Sequence, residues 1–388
     1  MKQLIICCLL SLLLFGSCRE RYDAPVKSPV TGYLVIEGVV NSGPGQTIIM
    51  LSRTTQLDNR AQVFETGATV KVEAETGNSY TLPEQGQGKY TASNLNLNAT
   101  IKYRLHIKTK AGKDYVSDYV AVKNNPPIDS VSWKRENADG VQMYISTHDP
   151  LNNTRYYQWT FDETWQIQSS FLSYLKYKIT IVNRDQHYEA VYRDSTTYSY
   201  DPNIINCWQY NSSTSLLLGS TAKLTTDNVY LPINYIPHGT IKLGVLYSIN
   251  VKQYAWTKEG YEFLDKMRKN TEATGSIFDA QPSELKGNIR CSTDSSETVI
   301  GFFNVCPIQE KRIFISNSQV PSWGYQTGCK EVLVKNISDT ILAQAVSLMP
   351  TVVVDFTPFG GIATFNAAEP ACVDCTLRGS NVKPTYWP

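Results

Sequence analysis

Polar and apolar positions alternate along much of this chain with a period of two. From Thr69 to Ala74, Val70, Val72 and Ala74 face one way and Thr69, Lys71 and Glu73 the other. That is the pattern of a strand with one buried and one wet face. The turn that follows has two readings. A two-residue Gly77-Asn78 loop would pair Glu73 with Leu82 and Glu75 with Tyr80, mixing the faces. A three-residue loop, Thr76-Gly77-Asn78, pairs Val72 with Leu82 and Ala74 with Tyr80. Asn tolerates the left-handed conformation that such a loop needs at its last position. A one-residue slip would turn every side chain to the wrong face, so the three-residue loop is expected.

A second hairpin follows the same logic. Ile101, Tyr103, Leu105 and Ile107 alternate with Lys102, Arg104, His106 and Lys108, Lys110-Ala111-Gly112 supplies the loop, and Tyr115 to Val122 returns. With strand signals already at Tyr33 to Glu37, this marks an antiparallel sandwich rather than a parallel α/β sheet. Asn124-Asn125-Pro126-Pro127 cannot continue a ladder, so the first domain is expected over 31–125. Ile128–Trp133, Val141–Thr147 and Arg155–Ile167 then read as the opening strands of a second, aromatic-rich β domain over 128–256.

One segment breaks the β pattern. From Thr257, a plausible N-cap, to Asn270 the residues are helix formers. Tyr261, Leu264 and Met267 recur at threes, with Phe263 four before Met267, and Glu262 and Lys266 form an i,i+4 pair. Gly275 and Pro282 close the segment. Strands resume near Asn288, so 257–388 is expected as a helix plus a Cys-containing β segment packed on the second domain. The expected fold is therefore mainly β: tandem antiparallel β-sandwiches of immunoglobulin, transthyretin or fibronectin type, with one substantial helix near 257–270.

The chain start carries a different pattern. Lys2 precedes an apolar run from Leu4 to Phe15, and Gly16-Ser17-Cys18 follows. This is a secretory signal with Cys directly after the small pair, a bacterial lipobox. Residues 1–17 are expected to be removed, Cys18 to carry acyl chains such as palmitate, and 18–30 to act as a tether. Cys7 and Cys8 would leave with the signal. The run is too short to span a bilayer. Phe15 stands where Leu is commoner, a mild departure.

Loss of Lys2 would leave 35 basic against 35 acidic side chains. A neutral chain without basic runs has no electrostatic footprint for nucleic acid. Six further cysteines, Cys207, Cys291, Cys306, Cys329, Cys372 and Cys375, are an even set in an oxidising compartment, so disulfides are expected. Six allow fifteen pairings, and sequence does not choose among them. Cys372 and Cys375 form a C-x-x-C, but no second pair lies nearby to complete a zinc site. All six fall after residue 200, so the N-terminal half must hold by packing alone.

Fourteen of the residues from Tyr156 to Tyr210 are aromatic. A ligand-binding platform would look like this, and so would a Tyr-rich sandwich core, which several rings at strand spacing favour. Catalytic signals are weak. His106, His148, His187 and His238 are not at metal-ligand spacing, and His106 falls on a wet face. Asp149 sits where a turn wants a carboxylate, and Asp162-Glu163 and Asp294 with Glu297 read as turn and surface residues. No G-x-S-x-G, H-E-x-x-H or P-loop is present. No enzyme activity, cofactor or metal is expected, although a glycosidase needs only two carboxylates brought together in space, which sequence alone does not exclude.

Several segments together resemble a lipoprotein family of the Bacteroidota, domain of unknown function 4249. They are Leu34-Val35-Ile36-Glu37-Gly38, Gly67 to Val72, the helix leading into Thr274 to Asp279 with Gln281-Pro282-Ser283, and Lys286-Gly287-Asn288-Ile289. Gly301-Phe302-Phe303 and the tail from Cys372-Val373-Asp374-Cys375 through Pro384 and Trp387 complete the set. The resemblance implies an outer-membrane lipoprotein whose gene neighbours encode TonB-dependent transporters, and it carries no catalytic residues. The expected function is a surface-exposed, lipid-anchored accessory or nutrient-binding partner of such a transporter. The competing readings are a structural or adhesive surface protein and an exported hydrolase.

Overall fold

The structure is a computed structural model that describes residues 32–55, 61–136, 139–272 and 285–388. Cys18, Gly275 and Pro282 lie outside the described residues. Nine strands come first: β1 (Leu34–Asn41), β2 (Gln46–Arg53), β3 (Val63–Phe64), β4 (Thr69–Ala74), β5 (Ser79–Leu82), β6 (Lys89–Ser93), β7 (Lys102–Lys108), β8 (Asp114–Ser117) and β9 (Val120–Ala121). Then come β10 (Ile128–Glu136), β11 (Gly140–Asp149), β12 (Tyr156–Gln168), β13 (Leu175–Val182), β14 (Asp185–Tyr192), β15 (Asn206–Ser212), β16 (Leu217–Ser220), β17 (Asp227–Ile236) and β18 (Leu246–Ala255). Helix α1 (Lys258–Glu272) precedes β19 (Ile289–Cys291), β20 (Val299–Ile300), β21 (Val305–Cys306), β22 (Gln309–Ser316) and β23 (Glu331–Lys335). The chain closes with α2 (Asp339–Ala345), β24 (Met349–Phe356), β25 (Ile362–Ala368) and α3 (Pro370–Val373).

The chain is mainly β and forms tandem sandwiches. In the first, a sheet ordered β20-β1-β2-β3 faces one ordered β19-β8-β7-β4-β5. Leu34, Ile36, Ile49 and Leu51 meet Val70, Val72, Leu105 and Ile107 between them, all at most 7% exposed. In the second, β10-β11-β17 faces β15-β12-β18-β22 across Val141, Met143, Ile145, Trp159, Ile249 and Val251.

Both early hairpins form, one of them in a different register. The second turns on Lys110-Ala111-Gly112, with Gly112 at φ 84°. In the first, Val72 pairs with Tyr80 and Val70 with Leu82, two residues from the expected register. The loop is Glu75-Thr76-Gly77, closed by Ala74 N–H donating to Asn78 O at 2.8 Å and Gly77 N–H to Ala74 O at 2.9 Å. Gly77 takes the left-handed position at φ 98°, which costs Gly less than Asn. A shift of two preserves the faces, so the pattern of alternation could not distinguish the registers.

The segment after α1 does not pack only on the second domain, as expected from sequence. β20 and β21 run parallel to β1 and cover its open edge, and β19 covers the edge of β8. Unpaired edges invite association, and the returning chain removes them. β22 then joins β18 of the second sandwich. A third lobe was not foreseen. The β13–β14 hairpin leaves the second sandwich and packs with α2 and the β23-β25-β24 sheet around Leu175, Val334, Leu342 and Phe365.

Two disulfides organise this lobe. Cys207–Cys375 ties β15 to the tail, and Cys329–Cys372 staples the C-terminal segment to itself. The two cysteines of the C-x-x-C thus bond to different partners. The expectation that all six cysteines pair is corrected: Cys291 and Cys306 are buried free thiols. They belong to β19 and β21, on different sheets of the first sandwich, and burial pushes the Cys306 thiol up to about 12.

His106 is not simply solvated. Its Nδ1 lies 2.7 Å from Glu73 and its Nε2 2.6 Å from Asp114. Partial burial opposes the charged ring, but the two carboxylates outweigh it and raise its pKa above 6.5. A raised folded-state pKa contributes stability below the unfolded value, and that contribution is lost as pH rises through the folded one. Denaturant midpoints should therefore fall more for wild type than for His106→Gln as pH is raised from below 6.5 to the alkaline side; parallel pH profiles would contradict the pairing. Peptide mapping without reductant should recover the two bridges, with Cys291 and Cys306 alkylated only after unfolding. A crosslink to either would contradict this fold.

Candidate functional site: an apolar cleft between the sandwiches

The outer face of the first sandwich is unusually apolar where it looks toward the second. Val35 and Val39 on β1 and Ile48 and Met50 on β2 point away from their own core. The facing wall is the outer surface of the β12–β18–β22 sheet, with Gln158 and Thr160, Lys252 and Tyr254, and Glu310. Helix α1 closes one side. Thr257 caps it, its Oγ1 accepting from Gly260 N–H at 3.1 Å, and Phe263 and Leu264 are buried while Met267 and Tyr261 are partly so. Its exposed pair is Lys258 with Glu262 rather than Glu262 with Lys266. Phe302 bridges the walls, 5.8 Å from Phe263 and 6.2 Å from Trp256 between ring centroids.

Together these residues enclose a cleft of about 520 Å³. Gly38 lets its two strands approach: a Cβ there would lie 2.2 Å from the Ile48 carbonyl oxygen, at φ 131°. The polar groups in the wall are few. Burial disfavours the Lys252 ammonium, but Asp162 at 3.0 Å and nearby Glu310 overcome this and raise its pKa. Burial likewise raises the Tyr254 phenol, whose hydroxyl lies 3.4 Å from Thr160 Oγ1. Glu310 accepts from Asn250 Nδ2 at 2.9 Å, and Glu37 is exposed on β1.

The walls are fixed by a buried amide joint at the Asn125–Pro126 linker. Gln253 Nε2 donates to Asn125 Oδ1 at 3.1 Å and Pro126 O at 2.8 Å, while its Oε1 accepts from Trp159 Nε1 at 2.9 Å. Asn125 Nδ2 donates back to Gln253 O and to Pro307 O, each at 2.8 Å. The predicted boundary is thus a rivet.

The carboxylates singled out in the sequence are occupied elsewhere. Glu163, taken for a surface residue, has a side chain 1% exposed. Burial works against its charge, but Lys242, Tyr247 and Asn211 hold it below the usual carboxylate range. Glu297, also read as surface, accepts from Tyr115 at 2.5 Å and pairs with Lys113 and Arg53. Asp149 accepts from the backbone N–H groups of Leu151, Asn153 and Thr154, as a turn carboxylate should. Among the described residues no three His, Cys, Asp or Glu side chains gather as metal ligands. In the aromatic-rich segment Tyr157, Trp159, Phe161, Trp165 and Trp208 are buried, Tyr198, Tyr200 and Tyr210 are exposed, and the other rings are half-buried.

The sequence reading missed the cleft. Its signal was present in Leu34-Val35-Ile36 and Ile48-Ile49-Met50-Leu51, where apolar residues occupy both faces of a strand, as they do when both faces are covered.

A family profile described as "Domain of unknown function (DUF4249)" matches residues 19–312. The chain belongs to the DUF4249 family. The matched span contains every cleft residue from Val35 to Glu310 and ends before the β23–β25 sheet and the Cys372–Cys375 tail. A search of curated proteins finds no match to this DUF4249 chain. Among solved structures, chitinase ChiA74 from Bacillus thuringiensis is 14% identical, over 59% of this chain and 31% of its own, with a TM-score of 0.16. The DUF4249 chain therefore spans about a third of that enzyme.

Proposed function

We propose that this protein is a non-catalytic, lipid-anchored lipoprotein of the outer membrane that binds an apolar or amphipathic small molecule between its sandwiches. The cleft carries this reading. Small-molecule sites are mostly apolar hollows of about 300–1,000 Å³, often at domain junctions and largely pre-formed, and this one has those attributes. The saturated hydrogen bonding of Glu163, Glu297 and Asp149 supports a non-catalytic role, because each carboxylate is committed to holding the fold.

The anchor is Cys18. Two or more acyl chains hold a protein stably where one does so only marginally. The resemblance to a Bacteroidota lipoprotein family supports a place on the cell surface beside a TonB-dependent transporter, to which the bound nutrient would pass.

Titration with the neutral fluorophore N-phenyl-1-naphthylamine should give saturable binding to the purified mature chain. Ile48→Glu places a charge on a half-exposed cleft position without touching the core, and should weaken binding by at least about tenfold, or ~1.4 kcal/mol. Unchanged binding in a variant with wild-type circular dichroism would remove the cleft from the account. In cells, Cys18→Ala should yield a soluble or uncleaved form, whereas the wild type stays with the outer membrane and co-purifies with a transporter barrel. Mature Ala variant persisting in the membrane after a carbonate wash would contradict the anchor.

A further inference from the structure

The charges in the cleft wall are not balanced. Among the described residues, the ionisable carboxyl and amine groups lining it are Glu37, Lys252 and Glu310, and the one cation of these three is already committed. Asp162 holds the Lys252 ammonium at 3.0 Å. Glu310, its cross-strand neighbour, receives a neutral donor from Asn250 at 2.9 Å, which leaves the carboxylate charge whole. Glu37 projects from β1 on the opposite wall. The contribution of α1 to the lining, Phe263, Leu264 and Met267, adds no charge. Three carboxylates against one ammonium leave the wall and its nearest partner two negative charges in excess. A cleft with low-dielectric walls and an excess of one sign of charge concentrates its field on whatever enters.

We infer that the cleft selects cationic amphiphiles, molecules with an apolar tail and an ammonium-type head, over anionic ones such as fatty-acid carboxylates. The inference rests on the cleft being the binding site. The tail lies against Val35, Ile48, Met50 and Phe302, and the head meets Glu37 or Glu310 at the polar part of the wall. An anionic head of the same tail gains the same apolar contact and meets both carboxylates as repulsion.

The test is displacement of N-phenyl-1-naphthylamine by dodecyltrimethylammonium and by laurate, each below its micelle concentration, with circular dichroism confirming that the fold persists. At low salt the cation should displace the fluorophore at a concentration severalfold, up to about tenfold, lower than laurate, given two exposed carboxylates. Added salt should shrink that ratio, and the double variant Glu37→Gln/Glu310→Gln should bring it close to one. Equal displacement by both amphiphiles, or tighter laurate, overturns the inference while leaving the cleft as a binding site. A wild-type chain that takes up no fluorophore overturns the cleft itself.

Discussion

The Gln253 side chain lies inside the second sandwich where the linker from the first enters it, has no exposed surface, and finds a protein partner for its amide nitrogen and its oxygen. A buried amide left without partners costs about 1–3 kcal/mol per group, so the Asn125 linker cannot swing away without exposing that cost on both sides. Asn125 answers with bonds to β18 and to Pro307 on the returning chain. Three segments distant in sequence are thereby held at one point. The cleft is the space left between two walls that this joint keeps at a set separation.

The path of the chain reinforces the joint. After α1 it returns to complete the first sandwich with β19, β20 and β21 before β22 re-enters the second. The chain therefore passes outward from the first sandwich to the second twice, at Asn125 and again at Pro307, with one return between them after β18. The third lobe is held in another manner. Its core is small, and small cores gain from crosslinks; Cys329–Cys372 and Cys207–Cys375 fasten its flanks to the second sandwich and the tail.

Local features were legible in the sequence because their causes are local. Alternation at 69–74 and 101–107 specified which side chains enter the core, and the apolar stripe with the Thr257 cap specified the helix. Features that depend on distant partners were not legible. Glu163 looked like a turn acid because Lys242, Tyr247, Asn211 and Asn234, its four partners, lie 48 to 84 residues away. Cys291 and Cys306 looked like members of a paired set of six, but strand pairing sends them to different sheets. The cleft itself is a product of domain packing, and only the doubly apolar runs in β1 and β2 hinted at it.

The central claim is that the joint holds two walls in one arrangement. Spin labels on exposed Lys102 and Asn228, one on each sandwich, would measure this directly by double electron–electron resonance. The account predicts a single narrow distance distribution in the wild type, unchanged by saturating fluorophore and broadened in Gln253→Ala. A broad or multi-peaked distribution in the wild type would contradict it, because the walls would then have no fixed separation and the cleft no fixed shape.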